Sequence, residues 1–341
     1  MERRKFLQTS FLISTSSLVF NRKLSASIAK GIIHPPKLKK GDVVGLVTPG
    51  SYITEDELND AKRNITNLGL IPFHTENVLA KDGYLAGSDE LRAKDFNSMI
   101  YDRDVKAIWA VRGGYGCARI LDKIDYNALA KNPKVVIGYS DITALLYGIF
   151  SQTGLVCFHG PVGISTFDEF SVNNLKPLLF GRSKNLKLKP ADKFDSPEII
   201  RTGLAEGRLV GGNLSLIIST IGTKYDLDYK NKIVFIEEIN EEPYRIDRML
   251  THMIQAEKFD GAAGIALGRF VKCEVKEKSP EFDSSFNLKE VLFDRLYSLN
   301  IPVVYGLSFG HIDNKITLPF GAKAKLDVKN FEITLLENTV V

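Results

Sequence analysis

Cysteine is scarce and scattered: the chain of 341 residues carries three, Cys117, Cys157 and Cys273, in no CxxC pair and with no histidine at metal-ligand spacing. That excludes a disulfide framework and a zinc site of the usual kind, so the three read as small buried hydrophobes and no metal or other cofactor is expected. Charge of one sign is also lacking. A formal net charge of +4, part of it from a basic N-terminus, gives no surface for nucleic acid or an anionic membrane, and small molecules or peptides are the expected partners. No apolar run is long enough to span a bilayer as a helix, and there is no internal repeat or low-complexity tract. What remains, 44% hydrophobic and 25% charged, is an ordinary globular composition with length enough for two cores.

The first residues carry an address. Arg3-Arg4 precede Phe6-Leu7 and a Ser/Thr-rich, weakly apolar run to Phe20, and small residues at Ser27 and Ala29 suit a signal-peptidase site. The arrangement resembles a twin-arginine export signal, which sets residues 1–30 apart from the fold and places the mature protein in the periplasm or otherwise outside the cytoplasm. A disordered basic tail is the plain alternative.

From residue 38 onward strands and helices alternate. Val43 to Val47 is a β-rich run closed by Thr48-Pro49-Gly50-Ser51, and Thr54-Glu55-Asp56-Glu57 has the spacing of a capping box before apolar residues at helical period. Leu70 to Phe73, Val105 to Val111, Val135 to Gly138 and Leu155 to Phe158 read as further strands, with a second acidic-first helix opening at Ser88. Such alternation predicts a parallel sheet. Residues 167–196 are rich in Asn, Lys, Pro and Asp with little periodicity and read as an interdomain linker between an N-terminal α/β domain (38–166) and a C-terminal domain (197–341). The second half has several short strands and few helices, which predicts a mixed or barrel-like architecture.

Two turns would share the carboxyl edge of the first sheet. Arg112-Gly113-Gly114-Tyr115-Gly116 follows one strand, with adjacent glycines that let backbone N–H groups approach a ligand; its spacing is not that of a dinucleotide loop, and a plain turn is the alternative. Gly138-Tyr139-Ser140-Asp141 follows the next and leads directly into an apolar-periodic segment. A serine on a strand-to-helix turn stands at the positive end of a helix beside unpaired N–H groups, as a nucleophile requires, although Ser140 or Asp141 could equally cap the helix. Glu237-Glu238 end a strand in the second half, where acids are ordinarily solvated, and His159 and His311 lie where strands give way to loops. Ser140, Glu237 and His311 together give the order nucleophile, acid, base, but Ile142 stands where the hydrolase elbow G-x-S-x-G has its second glycine, which disfavours an α/β-hydrolase fold.

Several dispersed motifs in one order, Tyr84-Leu85-Ala86-Gly87, Ala110 to Gly116, Ile137 to Asp141, His159-Gly160-Pro161, Val210 to Leu214, Phe235-Ile236-Glu237, Pro243-Tyr244-Arg245 and Gly310-His311, carry a resemblance across nearly everything after residue 38. The chain resembles the serine LD-carboxypeptidases (muramoyltetrapeptide carboxypeptidases), a family that includes the microcin C immunity peptidases. The resemblance implies a flavodoxin-like α/β N-terminal domain with the nucleophile Ser140, and a smaller β-rich C-terminal domain with Glu237 and His311. It implies no metal, an oxyanion hole from the N–H of Asp141 and an N–H of the Gly113-Gly114 turn, and Arg112 either pairing with a substrate carboxylate or tied to the fold. Where the family usually has Glu-Asp this chain has Glu237-Glu238, so Glu238 stays a rival for the acid. The implied substrate is a murein tetrapeptide that loses its terminal D-alanine, with a homodimer left open. An acyl-adenylate conjugate is the alternative within the family, and a non-catalytic exported peptide-binding protein the alternative outside it.

Overall fold

The capping box read at Thr54 forms: Thr54 accepts from the N–H of Glu57 and the Glu57 carboxylate from the N–H of Thr54, opening α1 (Glu55–Asn67) with Leu58, Ala61 and Ile65 buried. The computed structural model describes residues 31–191, 197–276 and 283–341; the proposed export signal lies outside these. The first-half strands are β1 (Val43–Val47), β2 (Ile71–Phe73), β3 (Val105–Ala110), β4 (Val135–Gly138) and β5 (Cys157–His159), with α2 (Asp89–Tyr101), α3 (Tyr126–Lys131) and α4 (Ile142–Thr153) among them. They pair in parallel in the order β2-β1-β3-β4-β5, the flavodoxin-like order. β3 and β4 are buried almost throughout, as central strands covered on both faces must be.

Within the stretch 167–196, Asp168 caps a helix, α5 (Glu169–Phe180), which buries Leu175, Leu178 and Leu179. An internal Pro177 and two asparagines mask its periodicity in the sequence. The second sheet holds β6 (Lys187–Leu188), β7 (Glu198–Arg201), β8 (Leu204–Asn213), β9 (Lys232–Ile239), β10 (Gly264–Val271) and β11 (Val303–Tyr305), with α6 (Leu214–Thr220), α7 (Pro243–Gln255) and α8 (Leu288–Leu296) between them. β8 to β11 are parallel, and antiparallel strands flank them on both sides. Two of the flanking strands are β13 (Lys323–Asp327) and β14 (Glu332–Leu335). The strand before them, β12 (Leu318–Phe320), crosses back and pairs antiparallel with β5, so the last stretch of chain completes the first sheet.

Residues 32–341 form one compact unit. Behind the carboxyl edge the sheets meet in aromatic contacts, Phe235 lying 5.9 Å from Phe320 and 6.0 Å from Phe309 between ring centroids. Buried Tyr147 of α4 shares a 2.6 Å hydrogen bond with Tyr229, just before β9. Thr143 of α4 accepts from the N–H of Asn213 at the end of β8. These ties hold α4, at whose start Ser140 stands, against the end of β8 and the segment that leads into β9.

Candidate active site

Ser140 occupies the turn between β4 and α4 at φ +66°, a left-handed conformation that a non-glycine residue adopts at a cost of about 1–2 kcal/mol. Such strain at the start of a helix is retained where the turn must present its side chain. Gly113 lies against it: a Cβ there would stand 3.1 Å from Ser140 Cβ and 3.3 Å from Ser140 Oγ, tight enough that the serine turn would have to give by a few tenths of an ångström. The Gly113 carbonyl accepts from the N–H of Ser51, and Ser51 Oγ accepts from the N–H of Tyr115, which ties the loop after β3 to the loop after β1. The N–H groups of Gly114 and Asp141 have no acceptor among the described residues. Both are therefore available to a ligand beside Ser140.

The Asp141 side chain has a task that sequence reasoning missed. Buried to 2% exposure, it does not cap α4; its Oδ2 accepts from the N–H of Cys117 at 2.9 Å and so pins the glycine loop beside the serine. Burial raises its carboxyl above the usual range, against hydrogen bonds from Cys117 and Gly116. All three cysteines are free and buried, as the sequence implied.

Glu237 and Glu238 are not solvated. β9 runs through both, at 0% and 2% exposure, and strand alternation sends them to opposite faces. Glu238 accepts from Asn213 Nδ2, from Ser215 N–H and Oγ and from the N–H of Ile239, which consumes it in holding the start of α6. Glu237 faces the other way and meets His311, with Nδ1 to Oε2 at 2.7 Å. Gly310 makes that contact possible: its φ is +106°, and a Cβ there would stand 2.9 Å from Glu237 Oε2. The His311 ring packs edge-on against Tyr139, the residue before Ser140, at 4.8 Å between centroids. The two strand-end acids are thereby distinguished, and Glu237 with His311 is set beside the serine turn.

Arg112 pairs with Glu57 at 3.3 Å, using the Glu57 oxygen that does not cap α1, so its guanidinium is tied to the fold while staying partly exposed. Phe309 is fully buried, whereas Tyr115 is 54% exposed and packs 5.5 Å from Tyr84, which is 61% exposed.

A second histidine stands behind the first. His159, 1% exposed at the end of β5, places Nε2 3.9 Å from Glu237 Oε1, and neither atom has a hydrogen-bond partner among the described residues. Burial pushes its imidazole down to about 4, against the pull of the Glu237 charge. The group is neutral in the folded protein at pH 7. Below about pH 6.5 the unfolded chain takes up this proton while the folded one does not until about pH 4, so stability is full above that window and lost as pH falls through it. The expected loss is up to about 3 kcal/mol. Urea midpoints of wild type and His159→Gln from pH 7 to 4 check it, since subtraction removes the opposite-signed contributions of Asp141 and Glu238, whose carboxyls are raised by burial. Parallel pH profiles would show that His159 is not the group.

Comparison with known proteins decides the family. Residues 44–160 match the LD-carboxypeptidase N-terminal domain and residues 206–326 the LD-carboxypeptidase C-terminal domain. The chain belongs to the LD-carboxypeptidase family. A probable murein peptide carboxypeptidase of Bacillus subtilis is 38% identical over 86% of this chain and 91% of that protein. Among solved structures, an MccF-like protein from Bacillus anthracis superposes with a TM-score of 0.80 at 28% identity, covering 89% of this chain and 99% of that one. A muramoyltetrapeptide carboxypeptidase from Oxalobacter formigenes does so at 0.72 and 30% identity, covering 86% and 97%. The family is one of carboxypeptidases, peptide hydrolases by class, and the expected fold of a parallel α/β sheet with a curled second sheet is the observed one. Among the described residues no helix is long and apolar enough to cross a membrane.

Proposed function

We propose that the protein is a serine LD-carboxypeptidase that cleaves the amide between an L-centre and the terminal D-alanine of a murein tetrapeptide. The observation that carries the reading is the 2.7 Å contact between buried Glu237 and part-buried His311, set against the residue that precedes a strained serine on a strand-to-helix turn. In this mechanism His311 takes the Ser140 proton through its second nitrogen as Oγ attacks the carbonyl. Glu237 holds the Nδ1–H tautomer and balances the charge that forms. The N–H groups of Asp141 and Gly114 receive the oxyanion, each contributing about 3 kcal/mol to lowering the barrier. His311 then protonates the departing amine, and water releases the acyl group by the same path in reverse.

An acyl-adenylate conjugate is the second reading, favoured by the likeness to the MccF-like structure and by the exposed Tyr84 and Tyr115 rings, on which a base could stack. The murein reading is preferred because the Bacillus subtilis relative bears that description over most of both chains, and because the Arg3-Arg4 segment suits an enzyme exported to where wall peptides are abundant. Replacing both arginines by lysine is expected to hold the chain in the cytoplasm on fractionation; an intact full-length chain in the cytosol of wild-type cells would overturn the export reading. For substrate, purified enzyme is given L-Ala-γ-D-Glu-meso-diaminopimelate-D-Ala and its all-L counterpart. Release of alanine from the first alone is expected. No release, alongside cleavage of an aminoacyl-sulfamoyl-adenylate, would transfer the assignment to the second reading.

A further inference from the structure

A carboxypeptidase must recognise a free terminal carboxylate, and the residue first considered for that task, Arg112, is already paired with Glu57. The chemistry fixes where the carboxylate has to lie. His311 hands its proton to the departing amine, so the departing amino acid sits on the His311 side of Ser140, its carboxylate one Cα beyond that nitrogen. On that side there is a cavity of about 500 Å³, lined by Tyr139, Ser165, Thr166, His311, Asp313 and Lys315 among others.

Lys315 is the unusual member. It is 4% exposed, yet its ammonium makes no hydrogen bond or ion pair with any described residue and lies 5.0 Å above the Tyr139 ring, the same ring that packs on His311. Its backbone is held in place, Lys315 N–H donating to Ser171 Oγ and Asn314 N–H to the Asp168 carboxylate that caps α5, so the side chain is directed by a fixed loop. Asp168 is occupied by these backbone groups and by Ser171, Asp313 is exposed, and Glu237 is engaged with His311. Burial lowers the Lys315 ammonium below its usual range against the pull of the Asp313, Asp168 and Glu237 charges, none of which is close enough to form an ion pair with it, and a buried cation so placed is disfavoured.

We propose that the Lys315 ammonium receives the terminal carboxylate of the departing amino acid in the cavity beside His311. The assignment rests on the LD-carboxypeptidase reading. It makes Lys315 the residue that restricts the enzyme to the last amide of a chain, since an internal bond or a blocked terminus would leave the cation unpaired. A π-face beneath the ammonium fits the role: it holds the cation in position without neutralising it.

The test compares the murein tetrapeptide ending in D-alanine with the same peptide ending in D-alaninamide, under steady-state conditions. Wild type is expected to favour the acid by about a hundredfold in kcat/KM, chiefly through KM. Lys315→Met, of similar length and uncharged, is expected to bring the acid down to the level of the amide while leaving amide turnover within about threefold; Lys315→Arg should keep part of the preference. A merely structural lysine would instead lower both substrates together. Should Lys315→Met not fold, product inhibition of wild type decides: D-alanine is expected to inhibit and D-alaninamide not to, and equal inhibition overturns the assignment. It is overturned too if wild type cleaves acid and amide equally, if Lys315→Met retains the preference, or if the preference is lost in Arg112→Gln instead. A wild-type enzyme that cleaves neither peptide, while hydrolysing the conjugate, overturns the LD-carboxypeptidase reading itself and this assignment with it.

Discussion

Ser140→Ala is expected to lower turnover of the tetrapeptide by about 10⁴-fold or more while the protein folds and still binds peptide. The loss is that of a nucleophile for which no neighbouring group substitutes: the other hydroxyl on the β4–α4 turn is the Tyr139 phenol, raised above its usual value by desolvation, and Cys117 close by is buried, with its thiol raised well above its usual value by desolvation. The fold should be indifferent to the change. The cost of φ +66° arises from the Cβ, which alanine keeps, and the approach of Gly113 to Ser140 Cβ is likewise unaltered. Ser140→Gly makes the companion variant, since it removes the same hydroxyl and also relieves the left-handed strain. It should be equally inactive yet more stable than the alanine variant by about 1 kcal/mol. Rates from alanine release, together with thermal midpoints, check both halves. Turnover of Ser140→Ala within about tenfold of wild type would remove the serine from the mechanism.

Legibility in the sequence followed the range of the interactions. The capping box at Thr54 and the Ser88 cap are local chemistry, and both stand where their short motifs put them. The strand-turn-helix around Ser140 is local too, because an apolar run broken by Gly138 before an apolar helix admits few other structures. What the sequence concealed depends on distant partners. β9 reads as ending before its acids, since a carboxylate inside a strand makes sense only once His311, 74 positions later, is known to meet Glu237, and Asn213 and Ser215 to meet Glu238. β12 is three residues long, and nothing within them says that they join β5 rather than the strand that follows. Asp141 invited a reading as a helix cap or through its backbone N–H; the carboxylate's hold on the Cys117 loop appears only when the β3 and β4 turns are seen together. Lys315 carried no signal at all, because a lysine in a polar loop is ordinarily solvated.

Glu237→Gln is the second variant for which a very large effect is expected, a fall in kcat of about 10⁴-fold with little change in KM. The amide keeps the shape of the carboxylate but can offer an N–H where His311 Nδ1 now has an acceptor. The imidazole then takes the opposite tautomer, leaving its other nitrogen protonated and unable to act as a base toward Ser140. Folding provides the control. Glu237 is fully buried with one oxygen on His311 and the other 3.9 Å from an uncharged His159, so the folded protein carries the desolvation cost of an anion with only partial compensation. A neutral glutamine removes that cost and can keep a hydrogen bond to His311, so the thermal midpoint is expected to hold or rise while activity collapses. That combination separates a catalytic carboxylate from a structural one, whose loss would lower stability first and activity in consequence. Glu238→Gln supplies the contrast: Glu238 accepts four hydrogen bonds, three of them from Asn213 and Ser215 at the start of α6, so its replacement should lower stability while turnover per folded molecule changes by less than about tenfold. The reverse pattern, with Glu238→Gln inactive and Glu237→Gln merely unstable, would give the role of the acid to the other carboxylate.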